Sequence, residues 1–197
     1  MGRRVGCLAG LAIVVLAVTG CGSGGSDPSP AGELIGWGTV IESGPGSGVP
    51  QLCLSGVAES APPQCTGDAV ALIGLDWAAL TEVPEVGGTR WFDGTFHGTW
   101  DGSAITLTRP FAVGDQTGLD QGDAFASSVG SADSEALAQA LEAIRARSSD
   151  DPNYVNTVEY DGTVHLVVVH DDGSIQADLD REIGPGVVVV HSALRAV

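Results

Sequence analysis

An apolar stretch at the N-terminus most constrains what this chain can fold into, because it separates a leader from the part that folds. Arg3 and Arg4 precede the apolar run Leu8–Val18, and small residues then lead to Cys21. This order of a basic, an apolar and a small-residue segment is typical of a secretory signal peptide. The apolar run is too short for a good membrane-spanning helix. The sequence therefore predicts that residues 1–20 form a cleaved signal peptide.

The end of this leader, Val18–Cys21, resembles the bacterial lipobox, in which an aliphatic residue and two small residues precede a cysteine. The resemblance implies a diacylglyceryl thioether on Cys21 and cleavage before that residue. Acyl chains contribute about 0.8 kcal/mol per buried methylene, which is enough to hold a folded domain at a membrane. The alternatives are an ordinary secretory signal with a chance cysteine and a retained membrane helix. Residues 21–32 are rich in Gly and Ser and predict a flexible tether.

The charge of the chain restricts its partners. The formal net charge is −17, the pI is about 4.2, and lysine is absent. Removal of the leader would take away Arg3 and Arg4 and no acidic residue, so the mature chain is more acidic still. Binding to nucleic acid needs clustered basic side chains. We therefore expect no nucleic-acid partner.

The remaining cysteines predict a disulfide. Cys7 leaves with the leader and Cys21 is the expected lipid site, so only Cys53 and Cys65 remain in the folded part. Two cysteines in an exported chain most often form a structural disulfide. The alternatives are a redox pair, which usually has CxxC spacing, and a metal site, which needs further ligands nearby.

Residues 33–109 predict a β domain. Short apolar segments alternate with Gly-rich turns, and helix formers are scarce. In the segment Glu33–Glu42, Gly36 and Gly38 suggest a bend or bulge of the kind found at barrel corners. We expect a small β-barrel of OB-like type, stapled by the disulfide. The order of its strands cannot be derived from the sequence.

Residues 110–122 predict a linker, and residues 123–197 predict a separate α+β domain. The apolar periodicity and the turns give the order α-β-β-α-β. The elements are a helix at Asp133–Arg147, a hairpin at Val155–Val169, a helix that carries Ile175, Leu179 and Ile183, and a strand at Val187–Val190 buried on both faces. If Phe125–Val129 is a further strand, the order becomes that of a ferredoxin-like sandwich. The fold class is therefore α+β, with a barrel followed by a sandwich.

Several short motifs of the β domain resemble those of a group of uncharacterised secreted or lipid-anchored proteins of high-GC Gram-positive bacteria. The motifs are PQLCL at 50–54, PPQC at 62–65, LDW at 75–77 and GTWDG at 98–102. The resemblance covers roughly residues 36–108. It implies the disulfide and a shared β domain, and it supplies no catalytic residue.

Few residues suggest chemistry. Trp77 and Trp91 are the candidate binding aromatics, although packing in the barrel is the simpler explanation for both. Among the histidines, His165 and His170 are expected on opposite faces of one strand, so they cannot chelate a metal together. The acidic residues of the loop lack the pattern of an EF-hand and favour a solvated linker over a cation site. These residues are Asp115, Asp120 and Asp123.

The sequence thus predicts a non-enzymatic, lipid-anchored protein on the extracytoplasmic face of the cell membrane. It needs no cofactor or metal, and it binds an envelope protein or a cell-wall component. The alternatives are a small-ligand or cation binder and an extracytoplasmic hydrolase. The oligomeric state is not predicted.

Substitution of the lipobox cysteine tests the anchor. Cys21→Ser should leave an unprocessed or unlipidated protein, because the thioether cannot form; intact mass and partition between detergent and aqueous phases would be measured. Cys7→Ser should partition with the detergent as the wild-type protein does. The anchor is wrong if the wild-type protein is wholly aqueous and begins at Gly22 or a later residue.

Overall fold

The structure is a computed structural model that describes residues 32–44, 48–114 and 130–197. Several predicted features lie outside the described residues: the signal peptide, Cys21, nearly all of the tether, most of the linker, the strand Phe125–Val129, and Asp115, Asp120 and Asp123. Within the described ranges, no helix combines the length and the apolar character needed to cross a membrane.

The described chain consists mostly of strands. They are β1 (Leu34–Ser43), β2 (Gln51–Cys53), β3 (Val57–Ala58), β4 (Gln64–Cys65), β5 (Ala69–Ile73), β6 (Glu85–Val86), β7 (Thr89–Trp100), β8 (Ala104–Leu107), β9 (Ala112–Val113), β10 (Tyr154–Tyr160), β11 (Thr163–Val168), β12 (Val188–Ser192) and β13 (Arg195–Ala196). The helices are α1 (Ser134–Ser148) and α2 (Ser174–Glu182), and a 3-10 helix covers Trp77–Ala79. The predicted α+β class is confirmed.

Five strands form a closed barrel in the order β1-β2-β5-β8-β7, and β7 pairs again with β1. The pairs are antiparallel except for β5 and β8, which are parallel. The closing pair runs from Leu34 opposite Gly98 to Ser43 opposite Thr89. The short strands β6 and β9 pair with β7 outside the barrel order, and the short strand β13 pairs with β1. The predicted barrel is therefore present.

Glycines allow the strands of the barrel to approach its aromatic core. A Cβ atom on Gly36 would lie 2.7 Å from Cζ of Phe96, and one on Gly94 would lie 2.2 Å from the carbonyl oxygen of Ala112. The pairing of β1 with β7 is continuous across Gly36 and Gly38. These two glycines therefore do not mark a bulge in that pairing. Gly36 instead makes room for the ring of Phe96.

The second half of the chain forms a three-stranded sheet in the order β10-β11-β12. The first two strands are antiparallel, and β11 and β12 are parallel with α2 between them in sequence. One face packs on both helices through Leu137, Ile144, Val164, Leu166 and Leu179. The predicted order α-β-β-α-β is thus observed.

Two finer predictions for this half need correction. The ferredoxin-like order is not confirmed: it would place a further strand between β11 and β12, whereas these two strands pair directly. The strand β12 is not buried on both faces, since Val188 is buried but Val189 and Val190 are only half-buried. Its position at the end of the sheet accounts for that exposure.

The two halves share an apolar cluster. Val155, Val167 and Leu194 are buried with the barrel residues Leu34 and Phe96. Phe111, which lies in the predicted linker, stacks with Phe96 at 5.8 Å between ring centres. The division of the chain at residues 110–122 stays a prediction. Residues from both sides of it are buried in one apolar cluster.

Substitution of Gly94 tests the close approach inside the barrel. The Cβ atom of Gly94→Ala would also lie 2.7 Å from Cε1 of Phe111, so strand β9 or that ring must move. Overpacking of this kind costs about 1–3 kcal/mol of unfolding free energy, which denaturant titration can measure. Gly48→Ala is the matched control, because nothing lies within 4 Å of its Cβ position. Equal stability of the two variants would contradict this account.

Candidate functional site

The disulfide is formed between the predicted cysteines. A disulfide between Cys53 and Cys65 joins the end of β2 to β4. Strands β3 and β4 pair with each other as a small hairpin outside the barrel. The bond therefore attaches that hairpin to a barrel strand.

The loop between β5 and β6 packs against the core of the barrel through Leu75, Trp77 and Leu80. The carboxylate of Asp76 accepts a hydrogen bond of 2.9 Å from the amide of Ala78 and caps the 3-10 helix. This helix directs Trp77 onto the edge of Phe92, with ring centres 5.3 Å apart and planes at 87°. The guanidinium of Arg90 lies 4.0 Å from the centre of the Trp77 ring. These contacts favour a packing role for Trp77 over a role in binding.

Trp91 has a different position. It follows Arg90 and precedes Phe92 on β7, so its side chain points to the outside of the barrel while that of Phe92 points inward. Trp91 is half-buried and lines an open groove of 270 Å³, here called the Trp91 groove. Its lining includes Glu82, Pro84, Asp93 and Val113. Trp77 thus belongs to the loop between β5 and β6, and Trp91 lines a groove beside that loop. The two side chains do not form one binding platform.

Two carboxylates lie beside Trp91. Asp93 is exposed, and its Oδ1 accepts a hydrogen bond of 2.5 Å from Oγ1 of Thr39 on the adjacent strand. Glu82 has a φ of +58°, a conformation that non-glycine residues rarely adopt. Backbone strain of this kind is concentrated at functional sites. The groove therefore combines an aromatic face with acidic groups.

A second groove, here called the Leu80 groove, lies on the other side of the same loop. It has a volume of 340 Å³ and is lined by Leu75, Leu80, Leu107, Arg109 and Phe111, among others. Arg109 forms an ion pair with Glu33, whose side chain is fully buried, at 2.6 Å between Nη2 and Oε2. The hydroxyl of Thr108 donates a further hydrogen bond to the same carboxylate. The wall of this groove thus contains an ion pair between a buried carboxylate and a partly exposed guanidinium.

The sheet of the second half brings two histidines together. Nδ1 of His165, on β11, lies 2.9 Å from Nε2 of His191, on β12. The ring centres are 5.2 Å apart and the planes are inclined by only 17°, so both nitrogens lie close to the line between the centres. The lone pair of one ring therefore meets the N–H of the other, whereas a shared metal would require both lone pairs to converge on a third point. The geometry indicates a hydrogen-bonded histidine pair.

Burial keeps this pair uncharged. It lowers the pKa of His165 below its ordinary value, and no part of that side chain is exposed. Burial also lowers the pKa of His191, and the charge of His165 lowers it further. Both rings are therefore neutral at neutral pH, which is the state that an N–H to N hydrogen bond requires.

A search for metal-ligating clusters found no group of three or more His, Cys, Asp or Glu side chains among the described residues. A comparison with protein-family models, with curated proteins and with solved structures found no match to this chain. The function must therefore be argued from the site itself.

Sequence reasoning missed the histidine pair because it tested only residues of one strand. A signal was nevertheless present in the predicted elements. A helix between two strands indicates a parallel pair of neighbouring strands, and this arrangement places β11 beside β12. The apolar residues of both strands could then have set a register in which His165 and His191 share a face.

The histidine pair should make stability depend on pH. Because both pKa values are lowered on folding, the unfolded chain binds more protons once the pH falls below about 6.5. The unfolding free energy should therefore decrease on acidification from pH 7.5 to pH 5, by at most about 1.4 kcal/mol per pH unit for each histidine. The double variant His165→Gln/His191→Gln should lose this dependence, and His170→Gln should keep it. Denaturant titrations across this range would refute the assignment if all three proteins showed the same slope.

Proposed function

We propose that this chain is a non-enzymatic binding module, held by a lipid on Cys21 at the extracytoplasmic face of the cell membrane. The disulfide between Cys53 and Cys65 supports the location, since such bonds persist in oxidising compartments outside the cytoplasm. The observation that carries the binding role is the Trp91 groove, an open surface with an aromatic side chain.

We also infer that the barrel is OB-like. Numbered within the barrel, its strands follow the order 1-2-3-5-4 and close on strand 1, with strands 3 and 5 parallel. This is the Greek-key order of the OB fold. Barrels of that type often recognise extended ligands on their surface. The net charge of −17 argues against a nucleic acid as that ligand.

The chemistry of the Trp91 groove indicates the kind of partner. The indole of Trp91 offers an apolar surface, and the carboxylates of Glu82 and Asp93 accept hydrogen bonds. None of the described residues that line the groove is basic. A segment of an envelope protein or cell-wall component with an apolar face and N–H or ammonium donors would fit this surface.

A small-ligand binder is the second candidate, and the Leu80 groove favours it. Its volume of 340 Å³ lies at the lower end of the range found for ligand pockets, and its walls are mostly apolar. Such a ligand would contact Leu75, Leu80 and Leu107 beside the ion-paired Arg109.

Photo-crosslinking in intact cells tests the binding role. A photoreactive amino acid at Val113, which borders the Trp91 groove and is 51% exposed, should capture a defined partner. The same amino acid at Tyr160, which is 59% exposed and lies on the other sheet, is the matched control and should not. Adding Trp91→Ala to the Val113 probe should abolish the adduct, because the apolar contact is lost. Adducts from the Tyr160 probe alone, or adducts insensitive to Trp91→Ala, would contradict the proposed site.

A further inference from the structure

Strand β12 has one edge, here called its outer side, that faces away from the other two strands of its sheet. It is the last strand of the three-stranded sheet, and among the described residues it pairs only with β11. The amide of Val164 bonds to the carbonyl of Val187, and that of Ala193 bonds to the carbonyl of Val168. In a parallel pair with this register, the odd-numbered residues of β12 direct their main-chain groups towards β11. The groups of Val188, Val190 and Ser192 therefore point to the outer side.

A side-chain amide occupies part of this outer side. Oε1 of Gln176, on α2, accepts a hydrogen bond of 2.8 Å from the amide of Val190. Its Nε2 donates to the carbonyl of Val188 at 3.0 Å and to Oδ1 of Asp180 at 2.9 Å. The side chain thus supplies one acceptor and one donor, as a peptide unit of a neighbouring strand would. These three bonds fix the orientation of the amide, because the opposite orientation would set its NH2 group against the amide of Val190 and its oxygen against the carbonyl of Val188 and the carboxylate of Asp180.

We propose that the outer side of β12 is a strand-pairing surface for a second copy of this chain, and that Gln176 keeps it closed. The natural arrangement is antiparallel and centred on Val190, with Val190 opposite Val190 of the second copy and Val188 opposite its Ser192. Each Val190 amide would then donate to the carbonyl of the other Val190. This is the same amide that Gln176 occupies, so the side chain and the second copy exclude each other.

The charge distribution explains why this surface suits a second copy. The chain has a net charge of −17, and most pairs of its surfaces would therefore repel each other. The segment from Ile183 to Leu194 contains no Asp, Glu, Lys or Arg. Two copies can meet along this segment without like charges on the paired strands themselves, and each copy also brings Asp180 of α2, whose carboxylate lies 2.9 Å from Nε2 of Gln176. Natural proteins commonly protect such uncharged edges, and a covering side chain is one means of doing so.

Removal of the side-chain amide tests the proposal. Full-length protein in detergent should be monomeric by light scattering, and Gln176→Ala should form dimers with a dissociation constant lowered by about tenfold, the factor that corresponds to about 1.4 kcal/mol. Gln139→Ala is the matched control, since this glutamine of α1 is exposed and its side-chain amide donates to Glu135 of the same helix. Adding Val190→Pro to Gln176→Ala should restore the monomer, because the pairing amide is then missing.

Hydrogen exchange keeps the test informative if the variant is unstable. In the wild-type protein the amide of Val190 should be protected, and in Gln176→Ala monomers at low concentration it should exchange faster while that of Ala193 stays protected. The proposal is overturned if the wild-type Val190 amide exchanges freely. It is also overturned if folded Gln176→Ala stays monomeric at every concentration, or if its dimers persist with Val190→Pro.

Discussion

The pairing of β1 with β7 is the constraint on which the rest of the structure depends, because it converts an open sheet into a barrel. It continues from Leu34 to Ser43 without a shift of register. A buried carboxylate stands at each end of β1: Glu33 pairs with Arg109, and Glu42 pairs with Arg90. Breaking a buried pair of this kind by removing one partner usually costs several kcal/mol, since a charge is left without compensation. The pair of Glu42 with Arg90 joins register partners of β1 and β7, whereas the pair of Glu33 with Arg109 ties the start of β1 to the segment after β8.

A column of aromatic rings runs through the barrel from one of these ion pairs. The guanidinium of Arg90 lies on Trp77, which meets the edge of Phe92. Phe92 in turn meets Phe111, with ring centres 4.8 Å apart, and Phe111 stacks with Phe96. The alternation of β7 explains why neighbouring aromatic residues have different environments. Phe92 belongs to this column, whereas the adjacent side chain, Trp91, lies in a surface groove.

Local patterns in the sequence were sufficient for most secondary structure. The cap at Asp133, the turn at Asp161-Gly162 and the end of α2 before Gly184 all depend on neighbouring residues, and the structure contains each of them. The two faces of β1 were separated by the same alternation, but both carry apolar residues, so the sequence did not identify the face of Leu34 and Val40 as the inner one. The cap, the turn and the end of α2 need no knowledge of distant segments.

Long-range contacts could not be derived in the same way. The position of Phe111 inside the barrel, the pairing of β13 with β1, and the contact between His165 and His191 each join segments far apart in sequence. Phe111 is followed by mostly Gly and polar residues, so its surroundings in sequence indicate a loop rather than a core. For Trp77 and Trp91 the binding role stays a prediction, and only the cap at Asp76 and the alternation on β7 separate the packing of Trp77 on Phe92 from the position of Trp91 in a surface groove.

The residue before β1 lies beside Val197, so the proposed tether would reach the barrel next to that residue. The amide of Val197 donates a hydrogen bond to the carbonyl of Glu33, the residue before β1. A tether from Cys21 would therefore enter the barrel at a point that is fixed on both sides, by Val197 and by Arg109. Ile41 pairs with Trp91, and it lies about 23 Å along β1 from Leu34 at the rise per residue of a strand. A barrel anchored at Glu33 can thus hold the Trp91 groove well away from the membrane, where an envelope partner can reach it.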